Sequence, residues 1–135
     1  MESIRSHSAV VALAWLVLLA DSKGAVTHYV SRTNTSPLSP FLTWAAAATN
    51  IQDALDVAAV GDTVLVGDGL YASGGRAVHA TMTNRAAVVR AVRLLSANGP
   101  GVTVVTGQGV MRCVYLASGA VLSGFTLTNG NAGTI

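Results

Sequence analysis

Thr63-Val64-Leu65-Val66-Gly67-Asp68-Gly69 is an apolar run closed by an acid–glycine pair, and the chain returns to this pattern twice. Arg93-Leu94-Leu95-Ser96-Ala97 ends in Asn98-Gly99, and Gly124-Phe125-Thr126-Leu127-Thr128 ends in Asn129-Gly130. The closing pairs recur at spacings of 30 and 31 residues. An acidic or amide residue followed by glycine suits the left-handed backbone of a tight turn. A period of this size predicts stacked units, each touching mainly its neighbours. The last period holds three short β segments, Val102–Thr106, Cys113–Ala117 and Leu122–Thr128. These predict a coil in which each strand pairs in parallel with its copy one turn below, at about 4.8 Å per turn. Val64 and Val66, and likewise Phe125 and Leu127, alternate with outward partners and are expected to face inward. For Cys113-Val114-Tyr115-Leu116 the pattern leaves the inward pair open.

Upstream lies one helical pattern, from about Asn50 to Ala59. Thr49 is placed to cap it, and Asp53 can answer the free N–H groups of its first turn. Ile51, Ala54, Leu55 and Ala58 form a single apolar stripe. Gly61 ends the helix and Asp62 leads into the first strand of the array. Such a helix can cover an open core, as the terminal units of repeat proteins must. Before it, Thr27-His28-Tyr29-Val30-Ser31 reads as a strand, followed by a loop in which Pro37 and Pro40 bar a helix. Trp44 is expected to wedge against the helix rather than serve as a sugar platform.

The leading segment reads as an address. Arg5 precedes Ala9–Ala20, twelve uninterrupted apolar residues, a run too short for a spanning helix of about 20. This is the pattern of a secretory signal peptide, with cleavage after Ala20, Gly24 or Ala25. The mature chain is expected to be secreted, periplasmic or at the cell surface, with no stable membrane span. Only 10% of the residues are charged and the formal net charge is +2, so a nucleic-acid partner has no basic stripe to bind. Cys113 is the sole cysteine, so the fold has no internal disulfide and stability must come from packing. Asn34-Thr35-Ser36 matches a glycosylation sequon.

Asn50-Ile51-Gln52-Asp53-Ala54 through Ala59, then Gly61–Val66 and Gly69-Leu70-Tyr71, resembles the opening of pectin-lyase-like right-handed parallel β-helix proteins. Ser123-Gly124-Phe125-Thr126-Leu127-Thr128-Asn129-Gly130 is similar to an interior coil of that class. The resemblance spans roughly Tyr29 to Gly130. It implies an all-β fold, a right-handed parallel β-helix (solenoid) with an N-terminal capping α-helix, and a ladder of stacked asparagines at the turns. It divides the chain into a signal peptide over 1–25, a strand, loop and capping helix over 26–61, and the first two to three coils over 62–135. Family members carry more coils and a closing cap, so the chain is expected to be the N-terminal part of a longer protein.

The acids constrain the chemistry. The chain has six, Glu2, Asp21, Asp53, Asp56, Asp62 and Asp68, and none follows Gly69. Glycoside hydrolysis needs two carboxylates about 5–10 Å apart. Elimination from a uronate usually needs oxygen ligands, mostly carboxylates, around Ca²⁺. Asp62 and Asp68 stand roughly 20 Å apart along an extended strand and do not form such a pair. No catalytic, cofactor-binding or metal-binding residues are therefore assigned, and no cofactor is expected. Gly67-Asp68-Gly69-Leu70-Tyr71-Ala72 superficially matches a dinucleotide fingerprint, but no helix follows to receive a pyrophosphate. His28 and His79 lack companion ligands. Arg76, Arg85, Arg90, Arg93 and Arg112 occupy the acid-free half, either as a strip for an acidic polysaccharide or as ordinary solvated corners. The expectation is an exported protein that binds or processes polysaccharide, with this segment as scaffold. A non-catalytic adhesin or structural rod is the alternative.

Overall fold

The computed structural model describes residues 24–133. Most of the segment read as a signal peptide and the last two residues of the chain thus lie outside the described residues. The elements run β1 (Thr27–Val30), α1 (Ile51–Val57), β2 (Thr63–Val66), β3 (Gly69–Tyr71), β4 (Arg76–Val78), β5 (Met82–Val88), β6 (Arg93–Ser96), β7 (Thr103–Thr106), β8 (Arg112–Leu116), β9 (Val121–Ser123) and β10 (Thr126–Thr128).

The strands form three short sheets, ordered β1-β2-β6-β9, β3-β7-β10 and β4-β5-β8. The first two are parallel throughout. In the third, β5 pairs in parallel with β8 but antiparallel with β4. This overturns the expectation of an all-β right-handed parallel β-helix built of regular coils. The chain is β-rich, with parallel and mixed sheets and one seven-residue helix.

The physical reason lies between Asp68 and Asn98. Gly74 and Gly75 carry φ of 77° and 159°, and His79 and Ala80 are left-handed at 54° and 66°. These residues fold the chain back as a β4–β5 hairpin where a uniform array would run on. The pairing intervals are correspondingly uneven. Thr27 aligns with Thr63, Thr63 with Arg93 and Arg93 with Val121, whereas Thr103 aligns with Gly69 and Val104 with Thr126. The Asn-Gly period marks turns without enforcing equal units.

Several local readings need adjustment. Asn50, not Thr49, caps α1, its Oδ1 accepting from the Asp53 N–H at 3.0 Å. The helix stops at Val57, and its C-terminal carbonyls receive Arg90, whose Nη1 donates to Ala58 O at 2.6 Å. Leu122–Thr128 is broken into β9 and β10 at Gly124, where φ is 87°. Leu127, expected inward, is 46% exposed, and Phe125 is only partly covered by the core. The alternation cannot hold across that break, because a left-handed residue resets which face follows.

The core gathers Val30, Ile51, Leu55, Val64, Val66, Tyr71, Ala86, Val88, Leu94 and Val105, with Val114 packed against it. Burying one such aliphatic side chain contributes about 1.5–3 kcal/mol. The predicted stripe of α1 is buried as a unit at Ile51, Ala54, Leu55 and Ala58. Gln52 is buried beside it, accepting from Ala87 N–H at 2.7 Å and so satisfying β5 where β4 no longer pairs. Among the described residues, no helix is long and apolar enough to cross a membrane.

Candidate functional site

Pairing β1 with β2 sets Val30 beside Val66, which brings the residues leaving both strands together. The long loop after β1 returns to its parent strand: Ser31 N–H donates to Ala48 O at 2.8 Å, and Ala48 N–H to Tyr29 O at 2.9 Å. Within it, the Asn34 amide donates to Ala47 O at 2.7 Å and to Ala45 O at 3.2 Å. The loop thereby lays Trp44 across the strand ends, over Tyr29 and Gly67. Its ring meets Tyr29 edge-on at 4.8 Å between centroids, with planes at 61°. Gly67 lies beneath it; a side chain there would start 3.3 Å from the indole and 3.4 Å from Val30 O. Trp44 is fixed in place, yet remains 45% exposed. Trp44 thus packs on Tyr29 and Gly67 and keeps a face open to solvent.

Arg32 and Asp68 follow the same paired strands, two residues past the Val30–Val66 pair. Arg32 is exposed and its Cδ lies against Gly69, where a side chain would come within 3.3 Å. Asp68 is exposed and accepts from the Asn98 amide at 2.7 Å, the only rung of the expected turn ladder formed among the described residues. Asn129 does not extend it. Beneath them Tyr71 is buried, its hydroxyl donating to Gly67 O at 2.8 Å. Burial pushes its hydroxyl pKa up and the Asp68 charge adds to this, against the backbone N–H and guanidinium of Arg32. An exposed aromatic face can stack on an apolar ring face, and a guanidinium, a carboxylate and an amide at the ends of the paired strands can bind hydroxyls or a carboxylate. Sequence reasoning missed Arg32. The signal was available in the register, since both strands run into Arg32 and Asp68 two residues past the Val30–Val66 pair.

The remaining candidates serve the fold. His28 and Asp62, read separately from the sequence, form a buried pair at 2.8 Å. His28 Nδ1 faces Pro40 O at 2.7 Å, so both ring nitrogens have an oxygen partner. Asp62 also accepts from Ala59 N–H at 2.9 Å and Val26 N–H at 3.1 Å. Asp53 bonds Asn50 at 2.9 Å, and Asp56 bonds Gln52 at 2.9 Å and Arg76 at 3.3 Å.

The five arginines do not make a strip. Arg85 is buried, donating to Thr106 O, Gly74 O and Gln108 Oε1. Arg90 caps α1, and Arg112 donates to Ala132 O at 3.2 Å. His79 stacks edge-on against Tyr115 at 5.7 Å. Cys113 is a buried free thiol whose Sγ contacts Thr128 O at 3.2 Å. The amide nitrogen of Asn34 that a glycan would occupy is spent inside its own loop. Among the described residues, no group of three or more His, Cys, Asp or Glu could hold a metal ion.

No family model, curated protein or solved structure matches this chain.

Proposed function

We propose that the chain is an exported polysaccharide-binding protein in which the Trp44 face holds the glycan and the surrounding β structure is its scaffold. One observation carries the reading. Trp44 is pinned by Tyr29 and Gly67 while nearly half of it stays exposed, and Arg32 and Asp68 leave the same paired strands. An immobilised aromatic loses little side-chain entropy on binding, which is why such rings anchor recognition sites. Arg32 gives the face a match for uronate carboxylates. Binding rather than turnover is favoured by the acids, since Asp53, Asp56, Asp62 and Asp68 are each engaged within the fold.

Electrophoresis of the mature chain through gels containing polygalacturonate, or a neutral glucan, tests this. The wild type is expected to be retarded by polygalacturonate. Trp44→Ala should weaken binding about tenfold or more, as loss of an anchoring aromatic does. Equal retardation of the two proteins removes the platform from the account. Turnover of polygalacturonate by this chain refutes its assignment as a binding scaffold.

A further inference from the structure

We propose that Asn129-Gly130 is a site of spontaneous backbone-assisted deamidation, and that the equivalent Asn98-Gly99 turn is protected from the same chemistry. In this reaction the backbone nitrogen of Gly130 attacks Asn129 Cγ. A C–N bond forms, the bond to Nδ2 breaks, and the amide leaves as ammonia with the proton from Gly130 N. Water then opens the succinimide at either carbonyl, giving aspartate or isoaspartate. Glycine favours the step because it has no side chain to hinder the approach, and asparagine is among the thermolabile residues for this reason.

What separates the three turns is the engagement of the glycine nitrogen and the preceding side chain. Gly69 N–H donates to Val102 O at 2.8 Å. Gly99 N–H donates to Ser96 Oγ at 2.9 Å, and the Asn98 amide is held by the Asp68 carboxylate at 2.7 Å. Both of these bonds must open before Gly99 can reach Asn98 Cγ. At the third turn, Gly130 N–H and the Asn129 side chain have no hydrogen-bond partner among the described residues. Asn129 is exposed and left-handed at φ 51°. Its neighbours are nonetheless anchored: Gly109 N–H donates to Asn129 O at 2.8 Å, and Asn131 N–H to Met111 O at 2.9 Å.

The product alters its surroundings in two ways. It places a carboxylate in the stretch after Gly69, which carries no acid. Isoaspartate also routes the main chain through one extra methylene beside Cys113, whose Sγ would lie 3.3 Å from a side chain at Gly130.

The test incubates the full folded chain at mildly alkaline pH and maps peptides by mass for amide-to-acid conversion and isoaspartate. Asn129 should convert faster than Asn98 by on the order of tenfold or more, the factor set by first opening a charge-assisted hydrogen bond. In denaturant the two rates should converge, since both sites are Asn-Gly. Asp68→Ala should raise the Asn98 rate in the folded protein, and Cys113 should become more reactive toward a thiol reagent as Asn129 converts. Asn98 keeping pace with Asn129 in the folded chain, or neither site converting, overturns the proposal.

Discussion

Replacing Asp62 with asparagine probes the contact that ties the N-terminal strand to the turn after α1. The carboxylate is buried and accepts three hydrogen bonds, from His28 Nε2, Ala59 N–H and Val26 N–H, at 2.8 to 3.1 Å. Asparagine keeps one acceptor oxygen and presents an N–H₂ group at the other position. Turned one way, that group faces His28 and Ala59; turned the other, it faces Val26. Either orientation sets donor against donor. Leaving a buried donor without its acceptor costs about 1–3 kcal/mol, and more beside a charged group. The less damaging orientation retains two of the three bonds, so a loss of about 3 kcal/mol is expected.

Domains of this size typically hold about 5–15 kcal/mol in total. The midpoint of thermal unfolding should therefore fall by roughly 10–20 °C. The pH dependence gives a second readout. Burial pushes the Asp62 carboxyl up, but the His28 contact and the Ala59 and Val26 N–H groups outweigh it and hold the carboxyl below its usual 3.8. A depressed carboxyl contributes stability above its unfolded-state value, and that contribution is lost as pH falls below about 3.8 toward the folded-state value. Urea titrations between neutral pH and pH 3 should show a steeper acid loss in wild type than in Asp62→Asn. A change under about 1 kcal/mol at neutral pH, or identical acid limbs, refutes the reasoning.

Three further substitutions have outcomes set by geometry. Asn50→Ala removes the cap that receives Asp53 N–H and should cost about 1 kcal/mol by chemical denaturation. Gly107→Ala would drive a side chain onto Met111 O, with Asn129 O only 2.8 Å away, so a loss of about 3 kcal/mol or more is expected in the same assay. Ala80→Gly relieves a left-handed residue at φ 66° in the β4–β5 turn and should raise stability by about 0.5 kcal/mol, net of the added freedom of the unfolded chain.

The strands and the helix were readable because their signals are local. Thr27–Val30 and Thr63–Val66 announce themselves by β-branched alternation, and the apolar spacing of Ile51, Ala54, Leu55 and Ala58 marks the buried helix face. Parallel pairing at intervals near 30 was also legible for β2 and β6, where the Asp68–Asn98 contact joins the two turns. The regular coil was not, because the β4–β5 reversal passes through His79 and Ala80, neither of which carries the Asn-Gly signature of a tight hairpin. The inward assignment of Leu127 failed at Gly124, a break that a seven-residue alternation does not display. The contacts of Trp44 with Tyr29 and Gly67 depend on a loop closed by Asn34 and by backbone bonds to β1, which sequence spacing does not encode. His28 and Asp62 meet only through strand register, as do Arg32 and Asp68.

Trp44 also supplies its own reporter. The chain has two tryptophans, and Trp15 falls in the segment read as a signal peptide, so Trp44 is the one expected in the mature protein. Titrating the mature chain with polygalacturonate while recording tryptophan emission examines the proposed platform at the residue itself. The account predicts a saturable change in intensity and wavelength, weakened in Arg32→Ala. Flat emission across the titration in a folded wild type would contradict it.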